Sequence, residues 1–158
     1  MKARTRWLLA ISAAALALTA AASASAESCE GAPGGGAVKL TVDTSSLRAA
    51  QGEVAVTVYP DDSERFLAPH GKLLRARVPT TLPVTQACFW LPPGVYAVAV
   101  YHDQNGDHAF NRDMLGRPVE GFGFSNDPPA KSSVPAFEAV RFKLPAGGKT
   151  ITLHMRYP

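Results

Sequence analysis

Cys88-Phe89-Trp90-Leu91-Pro92-Pro93-Gly94-Val95-Tyr96-Ala97-Val98-Ala99-Val100-Tyr101 reads as two nearly continuous apolar runs joined by a Pro-Pro-Gly turn signal. On either side of it the pattern has period two. Val38, Leu40 and Val42 alternate with Lys39 and Thr41, and Val54, Val56 and Val58 with Ala55, Thr57 and Tyr59. The same alternation recurs in Leu74-Ala76-Val78, in Val140-Phe142-Leu144 and in Ile151-Leu153-Met155. Side chains two apart share one face of a strand, so these segments predict about seven short strands, each with an apolar face. No window of 11 or more residues carries a 3.6-residue apolar stripe. The expected fold is all-β: one antiparallel β-sandwich of the immunoglobulin or transthyretin type over residues 37–158, with one long loop. An outer-membrane barrel would need strands of about 9–11 residues with an outward lipid face, and these runs are shorter.

The N-terminus follows different rules. Lys2, Arg4 and Arg6 precede the apolar run Trp7 to Ala22, which ends at the small-residue site Ala24-Ser25-Ala26. This is the layout of a secretory signal peptide (residues 1–26) cleaved after Ala26; a membrane anchor would be longer and lack that site. The arginines are not adjacent, which favours the general secretory route. A Gly-rich flexible lead-in, residues 27–36, comes next. Of 158 residues, 16 are Lys or Arg and 13 Asp or Glu, a formal charge of +3. Three of the basic residues lie in the signal segment, which leaves thirteen of each sign and no net charge in the mature chain. Export and neutrality exclude a nucleic-acid role, and no second apolar span follows residue 26. The expected compartment is periplasmic or secreted. In such an oxidising compartment the even pair Cys29 and Cys88 most simply forms one disulfide, which closes a loop of about 60 residues and stabilises by roughly 4 kcal/mol in the chain-entropy model. No C-x-x-C spacing or nearby His pair supports a metal or redox site.

Residues 102–138 refuse the pattern: 37 residues with no predicted strand. A stretch that long inside a small domain is functional or disordered. Phe110, Phe122, Phe124 and Phe137 argue for order, with the loop folded over the end of the sandwich. Asp103, Asn105 and Asp107 make a D-x-N-x-D series, the start of a calcium loop in which hard Ca²⁺ collects six to eight oxygens. The Ala109 carbonyl, Asn111, Asp113 and Glu120 would complete the shell. Position 6 of such a loop is His108 rather than Gly, and position 12 is Met114 rather than Glu. The competing reading is a turn whose Asp and Asn side chains bond the backbone. Residues 102–127 carry a charge of −3, which suits a cation. In Glu120-Gly121-Phe122-Gly123-Phe124-Ser125-Asn126, residues Phe122, Phe124, Ser125 and Asn126 form a candidate ligand lip. The structural alternative has Phe122 and Phe124 plug the loop into the sandwich, with Gly121 and Gly123 permitting positive φ.

His102, Asp103 and Ser125 supply the residue types of a hydrolase, but Ser125 sits in G-F-S-N, not in a G-x-S-x-G elbow. An adjacent His-Asp pair on an extended strand points to opposite faces. His70 and His154 stand in other segments without metal-ligand spacing. No catalytic residue is assigned. The expected function is a non-catalytic binding or structural module for an envelope component or another protein. The runner-up is a small periplasmic hydrolase using His102, Asp103 and Glu120.

The segment Leu91-Pro92-Pro93-Gly94-Val95-Tyr96-Ala97-Val98-Ala99-Val100-Tyr101-His102-Asp103, then Asn105, then Gly116-Arg117-Pro118-Val119-Glu120-Gly121-Phe122-Gly123-Phe124-Ser125-Asn126 and Pro135-Ala136-Phe137-Glu138-Ala139, resembles exported bacterial proteins catalogued as domain of unknown function 2141. The resemblance covers most of residues 37–157 and implies an exported single-domain β-rich protein, with no activity, substrate or ligand attached. Members of that family often read D-x-N-x-N/D-G followed by Asp. Here His108 replaces the Gly and Asn111 the Asp. The L-P-P-G-x-Y hairpin also resembles one in transthyretin-like and collagen-adhesin modules, a likeness of fold alone.

Overall fold

The computed structural model describes residues 28–129 and 134–158; the expected signal peptide and its cleavage site lie outside them. Among the described residues, eight strands form two sheets. The smaller contains β1 (Val38–Ser45), β4 (Thr85–Leu91) and β8 (Lys149–His154) in the order β4-β1-β8. The larger contains β2 (Glu53–Pro60), β3 (Leu74–Pro79), β5 (Gly94–Asp103) and β6 (Gly121–Phe124) in the order β3-β2-β5-β6, with β7 (Phe142–Leu144) also paired to β5. The sheets form an open sandwich rather than a closed barrel. One turn of helix, α1 (Phe137–Val140), completes the chain, and among the described residues no helix is long and apolar enough to cross a membrane.

The period-two runs become strands because one face of each is apolar. Leu40 and Val42 of β1, Phe89 of β4 and Leu153 of β8 meet Val54, Val56 and Val58 of β2, Val98 and Val100 of β5, and Leu144 of β7 in one core, with all of these side chains essentially removed from water. Each such Val, Leu or Phe stabilises by roughly 1.5–3 kcal/mol on burial. The expected disulfide is present between Cys29 and Cys88. It is flanked by a short bridge in which Glu30 N–H donates to the Cys88 carbonyl (3.0 Å) and Trp90 N–H to the Glu30 carbonyl (2.8 Å), so the lead-in is tied to β4 at two points.

Four expectations need correction. First, the segment 102–138 does contain a strand: β6 pairs with β5, Ala99 opposite Phe124 and Tyr101 opposite Phe122. Two of its four residues are Gly, which removes the alternation that marks a strand. Second, Gly121 and Gly123 do not take positive φ. They are small because the C-terminal segment crosses them. A Cβ on Gly121 would lie 2.3 Å from the Tyr157 ring, and one on Gly123 3.0 Å from the His154 carbonyl oxygen. Third, Pro92-Pro93-Gly94 is not a hairpin turn. It carries the chain from β4 in one sheet to β5 in the other, and the Tyr96 hydroxyl donates back to the Pro92 carbonyl (2.8 Å). Fourth, the sandwich is not wholly antiparallel, because β1 and β8 pair in parallel. They stand near opposite ends of the chain, so no tight turn dictates their relative direction.

Candidate functional site

β2 and β5 are buried on both faces, and the reason lies in what covers the outside. Val54, Val56 and Val58, with Tyr96, Val98 and Val100, face the core. By alternation Ala55, Thr57 and Tyr59, with Ala97, Ala99 and Tyr101, face outward. The middle of that outer face is made of small residues, Thr57 paired with Ala99, and large rings stand around them. Ring centroids 5.3 to 6.0 Å apart run from Tyr101 to Phe110, Phe122, Phe124, Phe66 and Tyr59. These tilted and edge-on contacts are the favourable aromatic geometry. The small floor and the tall rim leave a cleft of about 490 Å³, lined also by Arg75 of β3 and by Arg112 and Pro118 of the loop.

The cleft is apolar with two cations at its surface. Arg75 Nε donates to Thr57 Oγ1 (2.7 Å), and its guanidinium lies 5.9 Å from the Tyr101 ring centre. Arg112 stacks 5.0 Å over Phe110 and donates to the Gly116 carbonyl. Among the described residues no carboxylate forms an ion pair with either arginine. Burial holds the Tyr59 hydroxyl above the usual phenol range although Arg75 pulls the other way.

The loop wall of the cleft is held by a charged clasp. Glu53 and Asp103 stand directly opposite each other on β2 and β5, an unfavourable pairing for two carboxylates. Arg77 of β3 reaches across Ala55, its neighbour in register, and its Nη1 meets Glu53 at 2.6 Å and Asp103 at 3.2 Å. Its Nη2 donates to the Tyr101 hydroxyl (2.7 Å) and the His108 carbonyl (2.9 Å). Asp103, fully buried, accepts from the N–H of Gly106 on one oxygen and of His108 on the other, both at 2.8 Å. His108 keeps the left-handed backbone (φ 64°) that Gly ordinarily supplies.

The other proposed calcium ligands are placed as follows. Asp107 accepts from Ala109 N–H (2.8 Å) and from the side-chain amides of Asn105 and Asn111 (2.9 Å each), and these donors, Asn111 first, hold its carboxyl below the usual range. Asp113 lies at a small hairpin and is likewise held low, chiefly by Arg117 N–H. Glu120 is buried and accepts from Asn111 N–H (3.0 Å). Burial raises its pKa, with Asp103 and Asp107 adding to the shift and the N–H donors opposing it. Among the described residues the group of three potential ligand atoms that converge is Glu53, Asp103 and His108, within 4.8 Å of one another. The Arg77 guanidinium already bonds both carboxylates and the His108 carbonyl.

Of the proposed lip, Phe122 and Phe124 line the cleft. Ser125 and Asn126 face elsewhere. Ser125 is buried, accepts from Val98 N–H (2.9 Å) and donates to the Val140 carbonyl, while the Asn126 amide donates to the carbonyls of Ala139 and Arg141. They pin α1 to the sheet. His102 lies on the core side of β5 with its ring nitrogens 2.6 Å from the Tyr157 hydroxyl and 2.7 Å from the Gln51 carbonyl. Asp103 is on the other side, so the two do not share a cleft. Thr57, Tyr59, Arg75, Tyr101, Phe110 and Arg112 were not foreseen. The available signal was the apolar outward face of β2 and β5, since a strand buried on both faces needs a cover.

A family model described as an uncharacterized protein conserved in bacteria (DUF2141) matches residues 42–152. No curated protein and no solved structure matches the chain.

Proposed function

The chain belongs to that family, DUF2141, and we propose that it is a non-catalytic binding module whose ligand occupies the aromatic cleft on the outer face of the larger sheet. The observation that carries this reading is the small Thr57–Ala99 floor inside a rim of rings, with a volume in the range of small-molecule sites. The buried placement of His102 between Tyr157 and Gln51 supports a structural role for that residue rather than the hydrolase reading. We read the acidic loop as ordered by Arg77 and by its own N–H groups, in place of the expected calcium ion. Export supplies the setting: the disulfide is compatible with a periplasmic or secreted protein, in which the ligand is an envelope component or a small molecule.

The neutral fluorophore N-phenyl-1-naphthylamine tests the cleft. Its emission should rise and shift to the blue on titration with the mature protein. Ala99→Phe, which sets a ring on the floor, should weaken binding at least about tenfold, the equivalent of 1.4 kcal/mol. Equal binding by both proteins, or none by the wild type, would place the ligand elsewhere.

A further inference from the structure

We infer that the cleft selects amphiphiles with an anionic head, a carboxylate or phosphate on an apolar body. The inference rests on the reading of the cleft as the ligand site and adds the chemical class. Its basis is charge. The body of the cleft is rings and small side chains, which recognise apolar surface without discrimination. The discriminating groups are Arg75 and Arg112, which line the same space from β3 and from the loop. Among the described residues neither arginine is neutralised by a carboxylate. Here the nearby acids are committed elsewhere: Glu53 and Asp103 to Arg77, Asp113 to Arg117, and Asp61 and Glu138 to Arg141. Arg75 is half-buried against Tyr101 and Thr57, so part of its hydration is already gone. An anion arriving there forms charge-assisted hydrogen bonds, roughly twice as strong as neutral ones. The five donors of a guanidinium match a carboxylate or phosphate in pairs. A cationic head would meet two like charges and a neutral head would leave them unpaired. The protein therefore distinguishes ligands by head group and tolerates variation in the apolar body.

Calorimetric titration of the mature protein with decanoate, decanol and decyltrimethylammonium, the two ions below their micelle concentrations and decanol below its solubility limit, tests this. Decanoate should bind at least about tenfold more tightly than decanol, and the cation most weakly. Arg75→Gln should shrink the gap between decanoate and decanol. Arg112→Gln, on an exposed part of the loop, should do the same if Arg75→Gln fails to fold. Equal affinity for decanoate and decanol, or a gap that neither variant changes, would overturn the head-group preference and leave the cleft reading standing. Binding of none of the three would overturn both.

Discussion

Arg77→Met should cost about 3–5 kcal/mol of stability, the range for breaking a buried ion pair from one side, and lower the melting temperature by roughly 10–20 °C. The cost comes from what is left behind. Asp103 is fully buried and faces Glu53 across the β2–β5 ladder. Arg77 is the cation both carboxylates share, while it also bonds the Tyr101 hydroxyl and the His108 carbonyl. Met fills comparable space but offers no donor, so two carboxylates are left in repulsion and the His108 carbonyl keeps only its longer bond from the Tyr101 hydroxyl (3.3 Å). Adding Asp103→Asn to the variant should recover part of the loss by removing one charge. A loss under about 1 kcal/mol would mean the clasp behaves as an ordinary surface pair. The same melting series settles the ion question. Millimolar Ca²⁺ or chelator should leave the wild-type melting temperature unchanged. A rise with Ca²⁺ that Asp103→Ala abolishes would instead establish calcium as the ordering agent.

Replacing both cysteines with serine should destabilise by about 4 kcal/mol in the chain-entropy model. Cys29 and Cys88 are 59 residues apart, so the crosslink removes much freedom from the unfolded chain. The folded state has its own stake in it. The disulfide holds the lead-in against β4, where Glu30 bonds both Cys88 and Trp90. Cys88 is only 2% exposed, so one of the serines would bury a hydroxyl among apolar neighbours. The single variant Cys29→Ser should be nearly as destabilised, since it loses the same crosslink. Chemical denaturation of the unreduced proteins measures both. A wild type with two reactive thiols, or variants as stable as the wild type, would contradict this.

The sandwich was legible because five of its strands alternate at period two and β4 and β5 read as nearly continuous apolar runs, and their positions were read within a few residues. β6 was not, because Gly121 and Gly123 erase the inward half of its pattern, and they do so for contacts with Tyr157 and with the His154 carbonyl that are remote in sequence. The sheet partners of β4 and β5 escaped for a related reason: a Pro-Pro-Gly turn marks a reversal but not whether the chain stays in its sheet. Of the candidate site, Phe122 and Phe124 stood out as two Phe residues set among glycines. Arg75, Tyr59 and Tyr101 were not, because they become neighbours only through the register of β3, β2 and β5. The acidic loop was identified as special, and its spacing is also what lets Asp103 and Asp107 collect backbone N–H groups. Oxygens at that spacing serve either purpose.

Occupation of the outer cleft by the ligand is read from amide shifts in ¹⁵N spectra as decanoate or N-phenyl-1-naphthylamine is added. Changes should centre on Thr57, Ala99, Tyr101, Phe122 and Phe124, with little effect on the smaller sheet. Changes centred on β1 and β8, or spread evenly over the chain, would contradict it.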